Sequence, residues 1–270
     1  MSEAAAAADR PRMGVAPATA RRFPRASGFM LVGALLLLWE ASARLGWVVS
    51  GNWPPVSAVA AAIVSGIAGG EILPILLSTL RRLVAGYALG CGAGIVLGLV
   101  LGASRPLRMV VQPVIEVLRP IPAPAIIPPL ILFLGVDDTL KIFIVALSGF
   151  FPVFVSTLAG VRNIDDVLLQ TARTFRVGWF RTVIGVILPA ALPAIAAGLR
   201  TATSLALVVT VISEMIAGSS GVGYYVVQMQ YALKPENMYA AVFWLAVIGY
   251  ALNRGFLAAE RRLIPWMGRS

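Results

Sequence analysis

The stretch Asn163–Pro193, "NIDDVLLQTARTFRVGWFRTVIGVILPAALP", lies between two long apolar runs and carries Arg173, Arg176 and Arg181. Asp165 and Asp166 suit a helix start, where a carboxylate caps free N–H groups and complements the helix dipole. Leu168, Ala172, Phe175 and Trp179 recur at three- and four-residue spacing. That spacing predicts one apolar stripe, with Gln170, Arg173 and Arg176 on other faces. Gly178 permits a sharp turn. A second amphipathic piece, 179–188, ends at Leu188 and Pro189. The stretch is expected to fold as two short helices with a corner, a shape that suits a docking element better than a helix lying on lipid headgroups.

The surrounding chain has 270 residues, of which 59% are hydrophobic and 13% charged. Its mean hydropathy is +0.88. A soluble domain of this length needs far more polar surface to cover itself. Apolar runs near twenty residues recur, and about twenty helical residues cross a bilayer core of roughly 30 Å. They lack the alternation of a β-barrel. The fold class is therefore an all-α polytopic membrane protein with about six transmembrane helices.

Residues 1–27 are expected to form a disordered cytoplasmic tail, and 28–52 to hold an uncleaved first span. Residues 53–265 are expected to form the main transmembrane domain, followed by a short C-terminus at 266–270. Ser50 to Arg82 is expected to start with an exposed turn and continue as short interfacial helices. The second span is placed at about 80–102. It is dense in Gly and Ala, which lets membrane helices approach closely. The third span, 112–135, holds six prolines. Each proline removes a donor and clashes with the preceding turn, so this span is expected to be broken and to face protein or a water-filled path. Further spans are expected at about 142–161, 190–217 and 238–257. A turn, "GSSGVG", and a polar segment precede the last.

The formal net charge is +10. Most arginines fall in the N-terminal tail, the Arg105/Arg108 loop, the 162–189 loop and the C-terminal end. The positive-inside rule then predicts cytoplasmic N and C termini, with loop 162–189 cytoplasmic. Arg81 and Arg82 fit that topology poorly. The charge is expected to reflect loops next to a lipid bilayer, with no nucleic-acid partner. There is one cysteine, Cys91, and no histidine. No disulfide within the chain, no metal site and no catalytic residues are expected.

Glu214 and Arg200 lie inside an apolar run, where charge is costly and usually faces a cavity or a partner. Arg119, Pro120 and Pro122 stand at the broken span. Ser219, Gly221 and Gly223 belong to the glycine-serine turn. These eight residues are the candidates for a substrate path or gate, with a structural ion pair as the competing reading for Glu214. Phe150, Phe151 and Phe154 are expected to be packing. An ATPase-independent secondary transporter would bring inverted repeats and several intramembrane acids. Neither stands out in this sequence. An intramembrane enzyme is disfavoured, because no acids pair within the spans and no phosphate-binding loop occurs.

The opening stretch resembles the coupling loop of the permease subunits of bacterial ABC importers with the type I fold. The family pattern is Glu-Ala-Ala, three residues, Gly, nine residues, Ile, one residue, Leu-Pro. Here Gln170, Thr171 and Ala172 hold the first positions, Arg176 the glycine, Val186 the isoleucine, and Leu188 and Pro189 the end. The spacing is kept, while Gln170, Thr171 and Arg176 depart from the pattern. "TLKIFIVALSGFFPVFVSTLAGVRNID", "ISEMIAGSSGVGYYV" and "LRPIPAPAIIPPLILFLG" resemble the aliphatic sulfonate, taurine and nitrate branch. The resemblance implies that Gln170, Thr171, Ala172, Arg173 and Arg176 form the docking face for an ATPase, with Gly178 as the corner. It implies two ATPase subunits carrying ATP and Mg2+, with no cofactor in this chain. It also implies a periplasmic or lipid-anchored binding protein, a second permease chain forming a homodimer, and the bacterial inner membrane as location. Aliphatic sulfonates lead among the implied substrates, ahead of taurine, nitrate, bicarbonate and thiamine-precursor-like solutes.

Overall fold

The computed structural model describes residues 26–48 and 50–265. The expected tail and C-terminal end lie outside the described residues, apart from Ala26 and Ser27, which already belong to a helix. The chain divides into two compact units at Trp47–Val48. The first holds α1, Ala26–Arg44. Arg44 Nε donates to Glu40 Oε1 at 2.6 Å, closing the last turn. Gly46, with φ +66°, follows it. The expected first span thus ends at Arg44, before the position anticipated.

The second unit is built on three long helices. They are α3 (Ile72–Ala103), α6 (Asp138–Arg162) and α9 (Leu188–Ala217). From Gly86 onward every fourth residue of α3 is a glycine, at 86, 90, 94, 98 and 102. A Cβ at Gly86 would lie 2.6 Å from Val145 Cβ, and one at Gly98 would lie 2.6 Å from Thr157 Cβ. At Gly90 it would strike the backbone of Ala146, and at Gly102 it would strike Val161. Residues four apart share one helix face, so this face of α3 is bare backbone laid on α6. On the other side of α6, Gly160 meets Ala194, and Gly198 of α9 meets Ser156. Tyr87 Oη donates to the Leu199 carbonyl at 3.1 Å and ties α3 to α9.

α2 (Val56–Ala68) precedes α3. Short interfacial helices had been expected up to Arg82, yet α3 begins at Ile72. Pro74 sits in its first turn, where the missing N–H would have no partner in any case. α4 (Arg105–Leu118) contains Pro113. A turn and a 3-10 segment, Ala123–Ile126, lead into α5 (Ile127–Leu134), which ends at Gly135 with φ +68°. The pair is bent by 82°, so the proline-rich third span is broken as its composition demands.

α7 (Asp166–Thr174) and α8 (Trp179–Thr182) form the loop. The helix then runs without a stop from Trp179 to Ala217, through a π turn at Val183–Ile187. The expected break at Leu188–Pro189 is absent. The wider π turn lies directly ahead of Pro189 and makes room for a ring that an ordinary turn would meet with a clash. α10 (Val222–Tyr231) occupies the expected polar segment, and α11 (Pro235–Leu263) is the last span. Among the described residues four helices are long and apolar enough to cross a bilayer, and the bent pair, taken as one span, makes a fifth. The remaining expected span falls on α1, whose 19 residues reach roughly 28 Å.

The glycine face has a direct test. Gly90→Val should cost about 1–3 kcal/mol by overpacking, measured as a fall in thermal midpoint in detergent. Gly92→Val is the control, because a Cβ there meets nothing within 4 Å.

Candidate functional site

At the end of the bundle where α3 and α6 begin and α9 finishes, one buried guanidinium gathers four elements. Arg82 Nε donates to Asp138 Oδ1 at 2.7 Å, and Arg82 Nη1 donates to Glu214 Oε1 at 2.7 Å. Nη1 also donates to the Ser220 carbonyl at 2.8 Å, and Nη2 to Ser220 Oγ at 2.6 Å. Glu214 has no exposed surface. Its other contacts are the Thr79 hydroxyl, at 2.9 and 3.0 Å, and the Gly223 N–H at 3.0 Å. Val222 N donates to Thr79 Oγ1 at 2.8 Å. Burial of a charge is costly unless it is paired and hydrogen-bonded, and here both conditions hold. Gly221 and Gly223 are required by the same contact, since a Cβ at either would strike Glu214. The glycine-serine turn thus directs a backbone donor at an anion, and the anion is the chain's own Glu214.

Arg81 pairs with Asp138 on the exposed side. Next to it a cavity of about 600 Å3 is lined by Arg81, Arg82, Asp137, Asp138, Lys141 and Ser219. Lys141 is buried, and its Nζ has no hydrogen-bond partner among the described residues. Sequence reasoning missed Arg82 by counting it as a loop charge. The available signal was a cation inside the apolar run of α3, matched by an acid in α9.

The path candidates do not come together in one site. Glu214, Gly221 and Gly223 belong to the Arg82 clamp, and Ser219 lines the cavity beside it. Arg200 pairs with Glu260 of α11 and lines a separate cavity of about 460 Å3. Arg119 and Pro122 line a third cavity, of about 610 Å3, between the break in the proline-rich span and the middles of α6 and α9. Pro120 lies in the turn beside them. Phe151 reaches that cavity. Phe154 is buried and stacks on Phe150 with ring centroids 5.6 Å apart, which is packing.

The loop lies at the opposite end. Asp165 caps α7 by accepting from Val167 N at 2.9 Å. Gln170, Thr171, Ala172 and Arg173 all lie on α7. Ala172 is buried, and Leu169 and Ile164 pack against the core of Val161, Ile187, Ala191 and Ile195. The expected stripe is otherwise not the inward face. Leu168 is 48% exposed, Phe175 76% and Trp179 66%. The chain reverses at Arg176, whose φ is +51°, with Val177 N donating to the Ala172 carbonyl at 3.0 Å. The corner is therefore at the position where the coupling pattern has glycine. Gly178, expected as the corner, has φ −59° and ψ 150° and starts α8 in a conformation open to any residue. Leu188 and Pro189 begin α9 after the π turn.

A bundle of bilayer-length helices, a broken span facing a cavity, and a projecting helical corner together define a membrane transport subunit. Residues 93–269 match the binding-protein-dependent transport system inner membrane component family, and the chain belongs to it. The aliphatic sulfonates transport permease protein SsuC of Bacillus subtilis is 30% identical over 91% of this chain and 89% of its own length. SsuC of Escherichia coli is 32% identical over 88% and 90%. The taurine transport system permease protein TauC of Escherichia coli is 30% identical over 88% of each chain. An inward-facing MetNI methionine ABC transporter chain superposes with a TM-score of 0.62 at 17% identity, covering 70% of this chain and 94% of that one. The fold is that of a type I ABC permease. The chain is a multi-pass inner membrane permease subunit of an ABC importer.

Two substitutions separate the clamp from its exposed neighbour. Glu214→Ala leaves the Arg82 charge short of a partner and should cost about 3–5 kcal/mol. Arg81→Ala, at an exposed pair, should stay within about 1 kcal/mol. Thermal unfolding in detergent reads both. At the corner, Arg176→Gly removes the left-handed strain of a residue with a Cβ and should stabilise the subunit by about 0.5–1 kcal/mol, measured the same way.

Proposed function

We propose that this subunit carries an aliphatic sulfonate, or a related small anion, across the inner membrane by alternating access. ATP and Mg2+ are bound by two separate ATPase subunits, and this chain contributes no cofactor. The carrying observation is the corner at 163–182, where Phe175, Trp179 and Phe180 stand 66–76% exposed beside Arg173, Arg176 and Arg181. A polar rim around exposed aromatics is the composition of a docking surface. The family resemblance makes the ATPase its partner, with Gln170, Thr171, Ala172, Arg173 and Arg176 on the contact face. The topology has N and C termini and the corner in the cytoplasm, with the Arg82 clamp at the outer end. A binding protein delivers substrate there, and a second copy of this chain completes the path. The sulfonate assignment follows the relatives, whose names give aliphatic sulfonates and taurine.

Gentle detergent extraction tests this reading. An ATPase with a phosphate-binding loop should co-purify at about one per permease chain, and Arg173→Glu together with Phe175→Asp should release it. A chain that purifies alone and still takes up solute on an ion gradient would overturn the reading.

A further inference from the structure

The cavity at the helix break has two kinds of wall. Arg119 stands at one edge, and among the described residues it has no ion-pair partner. Phe151, Val155 and Val208 form an apolar wall, and no carboxylate is among the lining residues. Two of the lining hydroxyls have already spent their protons. Ser148 donates to the Val145 carbonyl and Thr201 to the Ala197 carbonyl. Ser156 adds a third hydroxyl, and the Arg119 guanidinium is the one charged group among the lining residues. A single cation beside an apolar wall suits an oxoanion with an alkyl tail. A ligand that also carried an ammonium at the end of its tail would press it against the apolar wall, where no carboxylate among the lining residues meets it.

We propose that this mid-membrane cavity is a selective site for alkyl monoanions, with Arg119 holding the headgroup and the apolar wall taking the tail, and that it disfavours the corresponding zwitterions. The permease thus adds its own discrimination, by charge type, to that of any protein delivering the substrate. The proposal rests on the transport reading above.

The test uses the purified permease–ATPase complex without a binding protein. Saturation-transfer NMR is recorded with hexanesulfonate and with its ω-amino analogue as probes. Alkyl protons of hexanesulfonate should show transfer, and the zwitterion should show several-fold less. Arg119→Gln should weaken hexanesulfonate binding about 10- to 100-fold, the range for losing a charged hydrogen-bond partner. Val155→Trp, which fills the cavity without touching the charge, should abolish the transfer as well. Arg105→Gln, remote from the cavity in sequence and placement, should leave it unchanged. Equal signals for the two probes, or full retention in both cavity variants, would overturn the proposal. Uptake by the complete complex in proteoliposomes separates the two levels. Sulfonate import with a negative NMR result removes this site and leaves the transport reading standing. ATP hydrolysis without import of any sulfonate or related small anion removes both.

Discussion

The fold depends on how closely two backbones approach. Inside a bilayer no hydrophobic force drives one helix onto another, because lipid tails are as apolar as leucine. Association must come from dispersion contacts and hydrogen bonds at short range. The glycine face of α3 supplies that range by letting the backbone of α6 lie directly against it. α9 repeats the device on the other side of α6, where Gly160 and Gly198 are the bare positions. Three helices so packed form a unit with little freedom to slide. The rest of the second unit is arranged around it, from the broken span to α10.

The Arg82 clamp does a different job. Close packing alone would leave the clamp-side ends of α3, α6 and α9 to be joined through flexible turns. The guanidinium fixes them through Asp138, Glu214 and Ser220 at defined distances. The clamp also sets the start of α10, because Thr79 and Glu214 accept the N–H groups of Val222 and Gly223. An acid in the membrane interior is thereby a scaffold for a turn, and its charge is spent on the protein itself.

Much of this was legible in the sequence wherever the physics is local. Six prolines break a span wherever they occur, so the bend between α4 and α5 could be read from composition. The asparatate cap of α7 and the close-packed glycines of α3 are likewise properties of short windows. An ion pair at Glu214 could be anticipated from its place in an apolar run, but its partner was not singled out, because Arg82 lies 132 positions away. The start of α3 was misplaced because the paired glycines and weak apolar spacing ahead of it read as interfacial pieces, whereas the helix begins at Ile72, directly after Gly70 and Glu71. The corner was assigned to Gly178 on conformational freedom, yet the chain turns at Arg176, where the loop's hydrogen bonds impose a left-handed residue despite the strain. The spacing of the pattern carried the geometry even where the residue type had changed. For the candidate path, sequence position grouped eight residues that the fold distributes among the clamp and separate cavities.

The uninterrupted helix from Trp179 to Ala217 has a mechanical consequence. Its 39 residues make a rod of roughly 58 Å, nearly twice the thickness of the hydrocarbon core. One end is the projecting corner and the other carries Glu214. A tilt of about 5° pivoted at one end moves the other by roughly 5 Å over that length. Because glycine contacts and the Arg82 clamp lock α9 to α3 and α6, such a tilt carries all three helices with it and moves the clamp end as one piece. The π turn at Val183–Ile187 and Pro193 within α9 both lie in the half of the rod next to the corner, so compliance is concentrated there while the arm beyond them stays stiff.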